Sequence, residues 1–319
     1  MFKRPQRWLY CMFFLVYFAA GGFLAYELEI YHNDAVARTA LGFFTAFGRN
    51  PHLAAVGFVW QPLPSLLQVP LLFLLRPLGL QMLAGPIITS LFGALSVILL
   101  FNISELLDKK KHRALSLGIS ILYGLNPMML LYVAIGSSEV IFMTCLLAAT
   151  YCLLNWQLKK HQIALVLSSF FLAMAFGSRY ESLPAFVGGL VMVTIVQLIR
   201  KEKFAKIEGS LIQFIVPFLY AVGIWIVANW AIMGNPLYFL NSVYSNAGFT
   251  NTLKESTEGM EFTYHSILNT LWYCAQRTFL LAPGLLLIPV TLFGLVKLKR
   301  KQVYEQLMVL GTCLLYTSD

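Results

Sequence analysis

The sequence predicts an all-α, polytopic membrane protein with about eight or nine transmembrane helices of roughly 20 residues each. Hydrophobic residues make up 59% of the chain and charged residues only 12%, whereas charged residues make up about 25% of an ordinary soluble domain. Lys and Arg are concentrated in short clusters that separate long apolar stretches. These clusters are Lys3–Arg7, Lys109–Arg113, Lys159–Lys160, Arg200–Lys206 and Lys297–Lys301.

The spacing of the basic clusters predicts the orientation of the chain. If the N-terminus is cytosolic, alternation of the spans places every cluster on the cytosolic side, as the positive-inside rule requires. Of the 23 Lys and Arg residues, 17 then lie on the inner side. The six on the outer side are Arg38, Arg49, Arg76, Arg179, Lys254 and Arg277. We therefore attribute the net charge of +9 to membrane topology in a plasma-membrane protein, not to a nucleic-acid partner.

The apolar stretches define the predicted spans, and the first is an uncleaved helix because no small-residue cleavage site follows it. The spans are 8–26, 85–103, 115–135, 139–157, 162–178, 183–199, 211–232 and 279–296, with a partial one from about 303. Residues 62–80 are equally apolar but contain four prolines and Arg76. Counting them as a span would place the cluster Lys109–Arg113 outside, so we predict a juxtamembrane or re-entrant helix on the outer face.

We predict one membrane-embedded module over residues 1–319, with outer loop 1 at 27–85 and outer loop 2 at 233–279. The final apolar run reaches Asp319 without a basic flank, so we expect a C-terminally truncated module. The five cysteines are scattered and show no Cys/His ligand spacing, so neither a zinc site nor a disulfide framework is predicted.

Outer loop 1 opens with an acid and a base four residues apart, Asp34 and Arg38. If the chain is helical from Ala35 onward, with Asn33 or Asp34 as its N-cap, the apolar positions Ala37, Leu41 and Phe44 give the helix one buried face. Arg38 is then the i+4 partner of Asp34, which is a purely structural alternative. The functional alternative is that Asp34, partly desolvated at the membrane boundary, acts as a general base.

Three further segments on the predicted outer side carry candidate site residues. Glu139 follows a span interrupted at Asn126-Pro127 and is either a favourable helix N-terminal charge or a functional acid. In the turn Arg179-Tyr180-Glu181, Arg179 either clamps a phosphate or pairs with Glu181 or a lipid headgroup. Trp60 either stacks on a sugar ring or belongs to the interfacial belt of aromatic residues.

Together these features resemble the GT-C class of integral-membrane glycosyltransferases. That class includes the protein O-mannosyltransferases and the bacterial lipid A aminoarabinose transferases. The resemblance rests on Asp34 and Arg38 directly after the first span, the Pro-rich segment Trp60–Pro64, the Asn126-Pro127 span that leads to Glu139, and the Arg179–Glu181 turn.

The resemblance implies an inverting transferase that uses a polyprenyl-phosphate sugar donor and a lipid, glycan or protein acceptor. Asp34 matches the family's first-loop acid, which serves as the base or helps to hold a divalent cation. Arg179 is a candidate for the donor phosphate, and Arg38 is a second cation for the phosphate leaving group. Glu139 is the candidate for the acceptor or a metal. Several members carry paired acids in the first loop, whereas here Asn33 precedes Asp34, so the requirement for a divalent cation is left open and no metal ligand is assigned.

Two other classes of protein fit the hydropathy. A multi-pass transporter or lipid flippase would carry polar residues in mid-span and broken helices repeated in two halves. The predicted spans are nearly free of charge and show no internal repeat, which favours an enzyme whose active site lies on the outer face. A non-catalytic membrane subunit is the third alternative.

Overall fold

The structure is a computed structural model that describes residues 4–107, 112–243, 245 and 266–281. Every regular element within these residues is a helix. The helices are α1 (Arg4–Tyr26), α2 (Asn33–Phe47), α3 (Leu63–Leu75), α4 (Ala84–Leu107), α5 (Arg113–Gly124), α6 (Pro127–Ala134), α7 (Ser138–Lys159), α8 (Gln162–Ser178), α9 (Ser182–Ile199), α10 (Phe204–Met233), α11 (Tyr238–Asn241) and α12 (Ile267–Leu281). Short 3-10 turns at Leu53–Val56, Arg76–Leu78 and Gln81–Leu83 join some of them.

In the described part of the chain, five helices are long and apolar enough to cross a membrane: α1, α4, α7, α9 and α10. The α5–α6 pair makes a sixth if its two halves form one broken span, and α8 is apolar but shorter, at 17 residues. The described chain is all-helical, as predicted, and the length and composition of these helices are consistent with a membrane protein. The predicted spans at 279–296 and from about 303 lie outside the described residues, apart from the end of α12.

The chain divides into two compact units, Met1–Tyr238 and Phe239–Asp319. In the first unit, α4 packs against α1 and α7, and α8 packs against α7 and α10. Phe13 and Tyr17 of α1 are fully buried against α4 and α6. α9 also packs against α10, where Phe186 stacks on Phe218 with ring centroids 4.0 Å apart.

The second unit contributes one long described helix, α12. It begins at Ile267, inside the segment that the sequence predicts as outer loop 2. The C-terminal part of that predicted loop is therefore helical.

The predicted interruption at Asn126-Pro127 is confirmed. The Asn126 side chain accepts hydrogen bonds from the backbone N–H groups of Met128 and Met129, at 2.9 and 3.4 Å, and so caps α6. Pro127 stands at the first helical position, where its missing N–H costs nothing. As a result α5 and α6 form two helices that meet at an angle of 55° rather than one straight span.

Outer loop 1 folds into a helical hairpin of α2 and α3. The 13 residues of α3 reach only about 20 Å, so this helix is too short to cross a hydrocarbon core of about 30 Å. Its length agrees with leaving 62–80 out of the predicted spans. Pro70 lies inside α3, where it removes one helical hydrogen bond.

The buried face of α2 differs from the face that the sequence predicts. An apolar stripe at Ala37, Leu41 and Phe44 was expected to face inward, but Phe44 is 55% exposed. The buried residues are instead Ala35, Arg38, Thr39 and Gly42. These small and polar residues let α2 approach α3 closely, and Thr39 donates a hydrogen bond to Gln68 of α3 at 2.7 Å.

Gly42 is the closest approach between α2 and α3, because a Cβ atom there would lie 2.8 Å from the backbone oxygen of Ser65. We expect Gly42→Ala to lower the stability of the solubilised protein by about 1–3 kcal/mol, since backbone must move to admit the methyl group. Gly118→Ala is the matched control, because no atom lies within 4 Å of a Cβ at that helical position. Thermal unfolding in detergent should show a lower midpoint for the first variant only; equal midpoints would contradict this packing.

Candidate functional site

An Arg–carboxylate cluster lies where α7 begins and where α8 is joined to α9. Arg179 follows the last residue of α8, and its guanidinium pairs with Glu181 through two bonds, from Nη2 at 2.8 Å and from Nε at 3.2 Å. The same guanidinium also donates from Nη1 to Glu139 Oε1. One cation therefore pairs with two acids that are 42 residues apart in sequence.

The start of α7 fixes the orientation of Glu139. Glu139 lies in the first turn, where the positive end of the helix favours a carboxylate. The hydroxyl of Ser137 donates to its second oxygen, Oε2. The side chains of Arg179, Glu139 and Glu181 are 21%, 24% and 35% exposed, so the cluster is partly open to solvent.

Arg38 is a buried cation beside this cluster. Only 8% of the residue is exposed, and its Nη1 donates to the backbone oxygen of Gln61. Burial lowers the pKa of Arg38 to about 10, the negative charges of Asp34 and Glu139 oppose that shift, and the positive charge of Arg179 adds to it. Arg38 therefore remains protonated at neutral pH. It interacts electrostatically with Asp34, Glu139 and Arg179.

Asp34 lies in the first turn of α2, on an exposed part of the surface. The helix begins at Asn33 with His32 at the N-cap, so the predicted N-cap at Asn33 or Asp34 is wrong by one or two residues, within the usual uncertainty of helix ends. The expected i+4 ion pair with Arg38 is also absent, because the guanidinium turns inward to Gln61. Within the described chain, the carboxylate of Asp34 has neither a hydrogen bond nor an ion pair.

Tyr180 fixes the loop at residues 57–61, which lies between α2 and α3. Its hydroxyl donates to the backbone oxygen of Val59 at 3.0 Å and accepts from the indole nitrogen of Trp225 at 3.2 Å. Phe58 stacks on Trp225 with ring centroids 5.3 Å apart. Burial raises the pKa of Tyr180, while the bond from Trp225 and the charge of Arg38 oppose the shift, so the phenol remains neutral and able to donate.

Trp60 lies at the edge of the same group. It is 46% exposed, and the guanidinium of Arg38 lies 5.8 Å from the centre of its ring, a cation–π distance. Gly57, which begins this loop, has φ of +83°, a conformation that residues with a side chain rarely adopt. The loop thus exposes Trp60 at the surface. The loop backbone is held on either side of Trp60, because the carbonyl oxygens of Val59 and Gln61 accept hydrogen bonds from Tyr180 and Arg38.

The seven candidate residues therefore occupy a single region formed by α2, the loop at 57–61, the start of α7 and the α8–α9 turn. A shallow cleft lies nearby, between Tyr31 and His32 of the first loop and Pro86 and Ala134 of the helix ends. None of the charged candidates lines that cleft.

The region does not present a metal-binding donor set. In the described ranges no group of three or more His, Cys, Asp or Glu side chains is close enough to hold a metal ion. The two acids that do converge, Glu139 and Glu181, are both bonded to Arg179.

Two residues that the sequence analysis did not select take part in the arrangement. Gln61 is 2% exposed, and its side-chain amide nitrogen has no hydrogen-bond partner in the described chain. Trp225, in the middle of the long apolar helix α10, bonds to Tyr180. Nothing in a single sequence separates Trp225 from an ordinary lipid-facing aromatic residue, whereas Gln61 beside Trp60 was a visible polar residue in an apolar segment.

No family model matches the chain, and no curated protein or solved structure matches it either.

Proposed function

We propose that this chain is a membrane glycosyltransferase that moves a sugar from a polyprenyl-phosphate donor to an acceptor hydroxyl on the outer membrane face. The observation that carries the proposal is the convergence of Asp34, Arg38, Glu139 and Arg179 beside an exposed tryptophan. Four segments far apart in sequence supply these residues. Ionisable side chains near a membrane are costly and tend to be functional, which supports an active site in this region.

In the proposed reaction, Asp34 takes the proton of the acceptor hydroxyl as its oxygen attacks the anomeric carbon. The bond between that carbon and the phosphate oxygen breaks, and the polyprenyl phosphate leaves with the electron pair. Attack from the side opposite the phosphate inverts the anomeric centre. Asp34 is exposed and not partly desolvated as expected from the sequence, so what supports its role as base is that an acceptor hydroxyl can reach its carboxylate.

Arg38 is the better of the two candidate cations for the developing phosphate charge. Arg179 is already bonded to Glu139 and Glu181, so an incoming anion has to displace one of them. Arg38 is buried. Among the described residues, its guanidinium makes one hydrogen bond, to a neutral carbonyl oxygen. A fixed cation in a water-poor site stabilises developing negative charge more strongly than one in water.

Glu139 and Tyr180 have supporting roles in this proposal. Glu139, held by Ser137 and Arg179, is placed to accept a hydrogen bond from an acceptor hydroxyl. Tyr180 fixes the loop that carries Trp60, whose exposed ring offers a stacking surface for a sugar. No step runs through a metal ion, since the converging acids are bonded to Arg179.

A multi-pass transporter is the second candidate, and the break between α5 and α6 favours it. Discontinuous helices at membrane depth are typical of transporter binding sites. The break here is capped by Asn126 and leads directly to the start of α7, so it also explains how Glu139 reaches its position. A transporter would bind the lipid-linked sugar without cleaving it.

The deciding experiment is a transfer assay on the purified chain with a panel of radiolabelled polyprenyl-phosphate sugars. We expect release of polyprenyl phosphate, by transfer to an acceptor or by slow hydrolysis, with one donor preferred. Movement of intact donor across a vesicle bilayer without any release would favour the transporter. Neither release nor movement in a well-folded sample would leave the non-catalytic subunit as the remaining class.

A further inference from the structure

A groove lies at the other end of α4 from the charged region, where α1 begins, α4 ends and α5 begins. Its volume is about 530 Å³ including the open mouth, and it is lined by Gln6, Leu9, Phe101, Arg113, Ala114 and Leu117. Leu9 and Phe101 form a buried apolar floor, with 8% and 3% of each residue exposed. Leu117, 40% exposed, forms part of an apolar wall that no described segment covers.

A basic side chain stands at the mouth of this groove. The guanidinium of Arg113 lies 5.9 Å from the ring centre of Phe101, so it leans over the apolar floor. Its one acidic neighbour among the described residues is Glu105, at 3.6 Å, and the two side chains are 54% and 34% exposed. Such an exposed pair contributes little and exchanges readily with another anion.

The remaining charges at this end are also mainly positive. Arg113 is the first residue of α5, so the positive end of that helix adds to its charge. Arg7, next to Gln6 on α1, is exposed at the same end of the bundle. The amide of Gln6 donates to Asn102 at 2.6 Å and is therefore occupied, so selection for an anion falls on the arginines.

We propose that this groove binds one anionic phospholipid, with its phosphate on Arg113 and an acyl chain along Leu9, Phe101 and Leu117. A free phosphate ion would leave the apolar floor uncovered, and an uncharged lipid would leave Arg113 with Glu105 alone. Basic pockets between helix ends on the cytosolic side are known to hold anionic headgroups. The inference does not depend on glycosyl transfer.

The test is native mass spectrometry of the full chain after reconstitution in bilayers of phosphatidylcholine mixed with phosphatidylglycerol. We expect one phosphatidylglycerol to remain bound in preference to phosphatidylcholine. Arg113→Gln should lower its apparent affinity about fivefold, the effect of one arginine near a charged headgroup. Arg49→Gln, an exposed arginine on a different loop, is the control and should change nothing.

A second pair of variants tests the groove itself. Ala114→Trp places a large side chain in the groove, whereas Leu115→Trp changes an exposed neighbour that does not line it. Loss of the bound lipid in the first variant alone supports the proposal. Equal retention of both lipids, equal loss in the two tryptophan variants, or displacement of the lipid by inorganic phosphate would each overturn it.

Discussion

Replacing Asp34 with asparagine should abolish sugar transfer while leaving the protein folded. A general base contributes about 10²–10⁴ in rate, and asparagine keeps the size of the side chain but takes up no proton. The carboxylate is exposed and makes no hydrogen bond or ion pair in the described chain, so its loss removes no structural contact. We therefore expect kcat to fall by at least about 100-fold with an unchanged midpoint of thermal unfolding.

Glu27→Gln is the matched control for this variant. Glu27 is another exposed acid, just after the end of α1 and outside the charged region. The control should keep transfer near the parent level. Near-normal turnover in Asp34→Asn would remove Asp34 from the role of base, and a parallel fall in both variants would show that the surface charge of the loop matters rather than one carboxylate.

The helices were largely predictable because their signal is physical and local. Each long apolar run that the structure describes is a helix, since backbone polar groups in lipid must be satisfied within the segment. Asn126-Pro127 ended one helix and began another, as a capping side chain before a proline predicts. Such signals depend on neighbouring residues and so can be read from one sequence.

The contacts of the site were predictable only in part. The sequence indicated which segments carry charge near helix ends, and those segments do converge. It did not indicate that Arg38 turns away from Asp34, or that Arg179 binds two acids at once. These outcomes depend on the approach of helices that are far apart in the chain. The predicted face of α2 was wrong for a related reason, because the buried face is set by the contacts of Arg38 with Gln61 and of Thr39 with Gln68, which lie outside α2.

Replacing Arg179 with alanine should weaken both the fold and donor binding, and the two effects can be separated. Without the guanidinium, two partly buried carboxylates are left facing each other, and each has lost a charge-assisted hydrogen bond. Such a bond contributes about 1.5–3 kcal/mol, and partial exposure reduces that amount. We expect a loss of about 2 kcal/mol of stability, measured as the midpoint of thermal unfolding in detergent.

The double variant Arg179→Met with Glu139→Gln separates the ion pair from the binding of phosphate. Methionine fills the volume of the arginine stem, and glutamine removes one of the two unbalanced charges while keeping its bond to Ser137. If Arg179 only stabilises the α8–α9 turn, the double variant should regain most of the lost stability and the parent affinity for polyprenyl-phosphate sugar. If it also binds the donor phosphate, stability should return while donor affinity stays at least about tenfold lower, the effect of a charge-assisted bond.

Arg38→Gln is the companion measurement, because Arg38 is the cation with the fewer protein partners. Among the described residues Arg38 forms no ion pair with a carboxylate, so the donor phosphate should depend on it more than on Arg179. We expect a larger loss of donor affinity in Arg38→Gln than in the Arg179 double variant. The opposite order would mean that an arriving phosphate displaces Glu139 or Glu181 from Arg179, and that the carboxylate cluster opens during the reaction.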